Sequence, residues 1–185
     1  IKRLAEIGYD ALELGCAQPQ AWPYFTDKEK RASVRKTLKE NNLRISSVLP
    51  APGGGPGGNI ASANVLEREW TKQYWKDCID MGLEMDDCKT LLCVCGWYIY
   101  GTRKRDAWKW AMESISEVAE YGAKSGVTLM LEPTATDSNL VESCEDAINM
   151  MEDIGMENVK LMFDTTHALY RNEVPSDYVY LMNEN

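Results

Sequence analysis

The chain has 185 residues, 44% of them hydrophobic, and a formal net charge of −9 at pH 7. This length and apolar content suffice for one domain with a substantial core. The acidic excess argues against nucleic acid as a partner, because phosphate binding requires basic patches. No apolar run approaches the roughly 20 residues of a membrane span and no basic-then-apolar leader is visible, so we expect a cytoplasmic protein without a membrane partner.

Helices and strands are predicted to alternate along the chain. Apolar residues at helical spacing predict helices at residues 1–8, 27–41, 63–85, 105–126 and 143–154. Short apolar runs predict strands at residues 9–16, 43–49, 90–95 and 127–133, and a fifth strand that begins at Val159. The tripeptide at residues 175–177, proline followed by serine and aspartate, then predicts the start of one more helix.

The order of these elements predicts an α/β fold with a parallel sheet, because continuous apolar strands alternate with helices that can cover them. An open doubly wound sheet and a closed (β/α)8 barrel both have this order. Acidic residues follow several of the strands, where barrel enzymes carry their functional groups, so we favour the barrel. Five strands fall short of the eight strands and roughly 250 residues of a whole barrel. We therefore expect residues 1–185 to be a single incomplete domain of a longer protein.

The segment after the second strand is rich in glycine and proline. Gly53, Gly55 and Gly58 formally match the G-x-G-x-x-G pattern of dinucleotide-binding loops. Pro56 interrupts the segment and no helix begins directly after it, so we reject a dinucleotide site. The segment is interpreted as a loop above the strand ends, either a lid or a plain mobile insertion.

Six cysteines are spread along the chain without the C-x-x-C pairs of zinc motifs. They are Cys16, Cys78, Cys88, Cys93, Cys95 and Cys144. Several of them lie on predicted strands or on apolar helix faces. We therefore expect free thiols within the core of a protein in a reducing compartment.

Three acidic residues and the single histidine of the chain are candidates for a functional site. Glu132 ends the fourth predicted strand, and Asp164 and His167 follow the last apolar run. If these two strands are neighbours, the carboxylates converge above the sheet. Glu13 lies within the first strand, where it faces either a polar cavity or solvent. In the structural alternative, Glu132 pairs with a lysine and Asp164 caps the turn that follows it.

These residue types indicate a particular chemistry if they converge. Two carboxylates on rigid strands offer the hard oxygen ligands that Mg²⁺ and Mn²⁺ prefer, and a nearby imidazole shifts the preference toward Mn²⁺, Co²⁺ or Zn²⁺. Such an ion polarises a carbonyl group and its neighbouring hydroxyl, which makes the adjacent C–H bond acidic. A carboxylate beside the ion can then transfer the proton.

Three segments resemble the xylose isomerase-like barrel superfamily of sugar isomerases and epimerases. They are A-E-I-G-Y-D-A-L-E-L at residues 5–14, L-E-P at residues 131–133 and F-D-T-T-H at residues 163–167. The resemblance extends over nearly the whole chain and is greatest to the branch of D-tagatose and D-psicose 3-epimerases. It implies that the chain comprises strands 2–6 of a (β/α)8 barrel.

The resemblance also implies a role for each candidate residue. In the family, the glutamate of L-E-P is a metal ligand and an acid/base carboxylate, and this role falls on Glu132. The aspartate of the D-x-x-H pattern is a second ligand, here Asp164, and its histidine contacts the oxygens of the substrate, here His167. The family's remaining ligands, a histidine on strand seven and a glutamate on strand eight, have no match in this chain. Asn139 stands where the epimerases carry a substrate-contacting glutamate after L-E-P.

We therefore predict a sugar isomerase or epimerase that uses Mn²⁺, Mg²⁺ or Co²⁺, with Zn²⁺ less favoured, and transfers a proton at Glu132 through an enediolate. The substrate is a small sugar or sugar phosphate, and its predicted contacts are His167, Asn139, Trp97 and Glu13, with Trp22 as a further wall. Dehydratases of the same superfamily are an alternative, as is a non-catalytic fragment, whereas the acidic charge argues against the superfamily's zinc-dependent endonucleases. We expect activity of the longer parent rather than of this chain alone. Exposed strand edges predict association into a homo-oligomer.

Overall fold

A computed structural model of the chain describes residues 1–51 and 58–183. The strands are β1 Ala11–Gly15, β2 Arg44–Leu49, β3 Thr90–Val94, β4 Thr128–Glu132 and β5 Val159–Leu161. The helices are α1 Lys2–Ile7, α2 Lys28–Glu40, α3 Val65–Asp86, α4 Lys104–Ala123, α5 Cys144–Ile154, α6 Thr165–Tyr170 and α7 Pro175–Asn183. Within the described ranges, no helix combines the length and the apolar character that crossing a membrane requires. Most of the segment interpreted as a lid or an insertion, including Gly53 and Gly55, lies outside the described residues.

The five strands form one parallel sheet in the order β1-β2-β3-β4-β5. Each strand pairs with the next strand along the chain, and a helix lies in each connection. A doubly wound sheet places later strands on both sides of the first one, whereas consecutive pairing without reversal is the order of a (β/α)8 barrel. The fold is therefore a partial barrel of five strands with flanking helices, as the sequence predicts.

Capping residues set several helix boundaries close to the predicted ones. The Asp27 carboxylate accepts a hydrogen bond from the Lys30 backbone N–H at 2.8 Å at the start of α2. Ser143 and Asp146 form a capping box at the start of α5, in which each side chain accepts from the backbone N–H of the other residue. Gly8 ends α1 in a left-handed conformation with φ of 100°. These contacts involve residues a few positions apart, which explains why the sequence predicts them.

The apolar core lies between the sheet and the helices that cover it. Leu129 and Leu131 of β4 are completely buried, as is Ile115 of α4, and Ile79 of α3 is 1% exposed. Burial of each such side chain contributes about 2 kcal/mol. The six cysteines are free and buried, which confirms the prediction of core thiols.

Two features differ from the sequence predictions. The last strand ends at Leu161, and Asp164 is followed not by a loop but by helix α6, Thr165–Tyr170. This six-residue helix is not evident in the sequence because threonine, histidine and tyrosine have low helix propensity. Val65 and Leu66 are among the apolar residues that predict the helix at residues 63–85, yet they are 52% and 75% exposed. Their helix of 22 residues is about 33 Å long, whereas strands of five or six residues span only about 20 Å. The helix is therefore longer than the strands, which explains why its first residues are exposed.

Candidate metal centre

Glu132 is the last residue of β4 and is only 8% exposed. Within residues 1–51 and 58–183 its carboxylate makes no hydrogen bond or ion pair, so the predicted alternative of a lysine partner is not observed. Burial is the largest cause that raises its pKa, from an ordinary value of 4.5 to about 7, and the charges of Asp164, Glu13 and Asp137 raise it further. A buried carboxylate surrounded by like charges requires a proton or a cation for stability.

Asp164 and His167 reach the same region from the start of α6. Asp164 is the N-cap of this helix, and its carboxylate accepts a hydrogen bond from the Thr166 backbone N–H at 2.6 Å. The predicted capping role is therefore present, and it leaves the second carboxylate oxygen available. His167 lies three positions further on, which places it on the same side of the helix as the cap. Its Nδ1 atom is buried without a hydrogen-bond partner.

The three side chains converge because β4 and β5 are neighbours in the sheet. Leu129 pairs with Val159, and Leu131 pairs with Leu161. Each of these residues, Glu132, Asp164 and His167, offers one potential ligand atom, and the three atoms lie within 4.8 Å of one another. Two ligands about 2.1 Å from one ion are separated by at most about 4 Å, so small side-chain adjustments suffice for a shared ion.

The donor set fits a divalent cation. It comprises two carboxylates and an imidazole, which suits Mn²⁺ or Co²⁺ and also admits Mg²⁺ and Zn²⁺. Two observations support the fit: the orphan Nδ1 of His167 and the absence of any cationic partner for the buried Glu132 among the described residues. Either group would otherwise be costly to bury.

Glu13 and Asp137 add negative charge beside this cluster. Glu13 on β1 is exposed, and its Oε2 accepts a hydrogen bond from the Ser47 hydroxyl at 2.8 Å. Its charge nevertheless contributes to the raised pKa of Glu132. Asp137, in the loop after β4, has the same effect on Glu132. Asp137 is not among the residues predicted from the sequence, although its position five residues after Glu132 in the same loop was a usable signal.

The remaining predicted substrate contacts lie in loops at the carboxyl ends of the strands. Trp97 follows β3 and is half-buried. Asn139 is exposed, and its amide accepts from the Tyr98 backbone N–H at 2.9 Å and donates to the Tyr98 carbonyl at 3.0 Å. Trp22 in the loop after β1 packs against Phe25, with ring centroids 4.9 Å apart, and its indole N–H is buried without a partner.

The sequence of this chain is similar to a family model and to known proteins. A family model described as a xylose isomerase-like TIM barrel matches residues 1–183. The chain is 26% identical over 180 residues to D-psicose 3-epimerase of Enterocloster bolteae, covering 89% of the chain and 55% of the relative. It is 26% identical over 148 residues to fructoselysine 3-epimerase of Shigella flexneri, covering 80% of the chain and 53% of the relative.

A solved structure shows the same fold. The crystal structure of D-psicose 3-epimerase with D-tagatose from Clostridium cellulolyticum H10 superposes with a TM-score of 0.85 at 19% identity. The match covers 98% of this chain and 62% of that one. The chain thus spans little more than half the length of the relatives it matches.

Proposed function

The chain belongs to the xylose isomerase-like TIM barrel family, and from this premise we propose that the protein is a divalent-metal-dependent sugar epimerase. The observation that carries the proposal is the convergence of Glu132, Asp164 and His167, whose ligand atoms lie within 4.8 Å of one another. The similarity to D-psicose and fructoselysine 3-epimerases supports a sugar as the substrate. The activity is proposed for the complete protein, and the chain of 185 residues by itself is proposed to be inactive, because the relatives are nearly twice as long.

Glu132 and Asp164 would hold the ion, with His167 beside it. When bound, the ion supplies Lewis-acid polarisation of the substrate's carbonyl and hydroxyl oxygens. Mn²⁺, Mg²⁺ and Co²⁺ are the proposed ions, and Zn²⁺ is less favoured because both proposed ligands, Glu132 and Asp164, are hard oxygen donors.

Glu132 is the proposed acid/base residue. Its carboxylate lies beside the place of the proposed ion, where it could accept and return a proton of the substrate, as general acid–base catalysis requires. Glu132 would remove the proton from the carbon bearing a hydroxyl next to the carbonyl, and the substrate would become an enediolate. Inversion of that carbon would also require a second acid/base group on the opposite face, which would give a proton to the carbon while Glu132 keeps the proton it removed. His167 would donate a hydrogen bond to a substrate oxygen on which negative charge develops.

The charge of the strand-end loops favours an unphosphorylated sugar over a sugar phosphate. The segments between each strand and the next helix are residues 16–27, 50–64, 95–103, 133–143 and 162–164. Arg103 is the one lysine or arginine in these segments, and it pairs with Asp106 at 2.7 Å. A phosphate group would therefore meet Glu13, Asp137 and the ligand carboxylates without a free cationic side chain from these loops.

The remaining parts of the proposal concern location and assembly. Six buried free thiols support a reducing compartment and hence a cytoplasmic protein. Strands β1 and β5 form the two edges of the described sheet, and such edges support association with another chain or segment.

Glu132→Gln tests the function in the complete protein. Interconversion of D-fructose and D-psicose, measured with added Mn²⁺ in D₂O, should be rapid in the wild type and should place deuterium on the inverted carbon. The variant should lose at least 100-fold in kcat, whereas Glu152→Gln, at an exposed glutamate of α5, should retain full turnover. Undiminished turnover by Glu132→Gln would exclude the proposed role, and a dehydrated product would favour a dehydratase instead.

A further inference from the structure

Side chains from two loops bind the backbone of a third loop at the carboxyl ends of the strands. The third loop follows β3, and its residues 96–98 are contacted by Asn59, from the loop after β2, and by Ser138 and Asn139, from the loop after β4. We refer to Asn59, Ser138 and Asn139 as the loop brace. Five hydrogen bonds of the brace bind three consecutive residues.

Asn59 binds both backbone groups of Trp97. Its amide Nδ2 donates to the Trp97 carbonyl at 2.8 Å, and its Oδ1 accepts from the Trp97 N–H at 3.2 Å and from the Ala61 N–H at 3.0 Å. Asn59 is 3% exposed, so this amide is part of the interior. Gly96 has φ of 81°, and a Cβ atom there would lie 2.5 Å from Asn59 Oδ1. The brace therefore requires glycine at position 96.

Ser138 and Asn139 bind the same segment from the other side. The Ser138 hydroxyl donates to the Gly96 carbonyl at 2.6 Å and accepts from the Leu140 N–H at 3.0 Å. The amide of Asn139 binds the N–H and the carbonyl of Tyr98. Each asparagine side chain thus accepts a hydrogen bond from the backbone N–H of one residue and donates a hydrogen bond to the carbonyl of the same residue. A residue of a neighbouring strand makes the same pair of hydrogen bonds in an antiparallel sheet.

We infer that Asn59 and Asn139 are positioning residues, which fix residues 96–98 as a wall of the substrate site beside Glu132. Val94, at the end of β3, pairs with Glu132, the proposed acid/base residue, in the sheet. The braced segment begins at Gly96, two residues after Val94. This inference rests on the proposed function. A loop that is already ordered spares the substrate the entropic cost of ordering it, and it holds the substrate in one orientation.

Kinetic constants of the complete protein test the inference with Asn59→Ala and Asn139→Ala. Asn158→Ala is the matched control, because its amide donates to the carbonyls of Ala119 and Val127 at 2.9 and 3.0 Å at the amino ends of the strands. We expect KM for D-fructose to rise at least fivefold in the two brace variants, with Mn²⁺ affinity within twofold of wild type. We expect Asn158→Ala to leave KM within twofold.

The conservative variant Asn139→Asp retains the acceptor for the Tyr98 N–H and loses the donor, so its KM should lie between those of wild type and Asn139→Ala. Hydrogen exchange of the Trp97 and Tyr98 amides in this chain provides a readout that is independent of sugar, and exchange should be faster in the alanine variants. Unchanged exchange would refute the brace and leave the proposed function intact. An unchanged KM, or an equal rise in Asn158→Ala, would refute the positioning role. A wild type that converts no ketose would refute the proposed function and the positioning role together.

Discussion

In the metal-free protein, the charge of Glu132 should destabilise the fold at neutral and alkaline pH. Folding raises the pKa of this carboxyl group from 4.5 to about 7 through burial and through the charges of Asp164, Glu13 and Asp137. The folded state therefore holds the proton more tightly than the unfolded state. This contribution to stability is complete below pH 4.5 and is lost as the pH rises through about 7.

The size of the effect follows from the pKa difference. A gap of about 2.5 between the ordinary and the raised pKa corresponds to about 3 kcal/mol, at roughly 1.4 kcal/mol per pH unit. Glutamine has nearly the same shape and is never charged. The free energy of unfolding of Glu132→Gln, measured relative to wild type, should therefore be about 3 kcal/mol greater at pH 8.5 than at pH 4.5.

Urea unfolding in the presence of EDTA, at several pH values between 4.5 and 8.5, measures this difference. Glu152→Gln on the exposed side of α5 is the matched control. Addition of Mn²⁺ should largely cancel the difference at pH 8.5, since a ligand at 100 times its Kd stabilises the wild type by about 2.7 kcal/mol and the variant has lost a ligand. A stability gap between Glu132→Gln and wild type that does not change with pH would refute the reasoning.

Further predictions follow from the same geometry. Because Glu132 must lose its proton to bind a cation, Mn²⁺ affinity measured by calorimetry should fall by up to tenfold per pH unit below about 7, and constant affinity between pH 5.5 and 7.5 would contradict this. Asparagine is as good an N-cap as aspartate, so at pH 4.5, where Glu132 is protonated, Asp164→Asn should change the free energy of unfolding without metal by less than about 0.5 kcal/mol. At neutral pH the same substitution should weaken Mn²⁺ binding at least tenfold; a large loss of stability at pH 4.5 would show that the residue is mainly structural. Gly96 has φ of 81°, and an added Cβ atom would lie 2.5 Å from Asn59 Oδ1. Gly96→Ala should therefore lower the free energy of unfolding by about 2 kcal/mol in urea titrations. A variant as stable as the wild type would contradict the brace. Since Arg103 is the one cationic side chain in the strand-end loops, kcat/KM for D-fructose should exceed that for D-fructose 6-phosphate at least tenfold in the complete protein, and a preference for the phosphate would contradict the charge argument.

Features that depend on neighbouring residues were predictable from the sequence. The capping box of Ser143 and Asp146 and the glycine end of α1 involve residues within a few positions of one another. Glu132 and Asp164 were identified as candidates because each directly follows an apolar run, and parallel strands bring such ends to one edge of the sheet. The short helix α6 was missed because its N-cap, rather than its propensity, makes it form.

Features that depend on contacts between distant residues were not predictable. The brace residues bind partners 38 to 42 positions away, and the charges of Glu13 and Asp137 act on Glu132 only after the sheet has formed. The sequence alone established the alternation of strands and helices and the identity of the three converging side chains, because hydrophobic periodicity and capping are local properties. The tertiary structure decided the consecutive order of the strands, the separation of those side chains and the burial that raises the pKa of Glu132. These depend on which surfaces pack together, and no segment of the chain specifies that by itself.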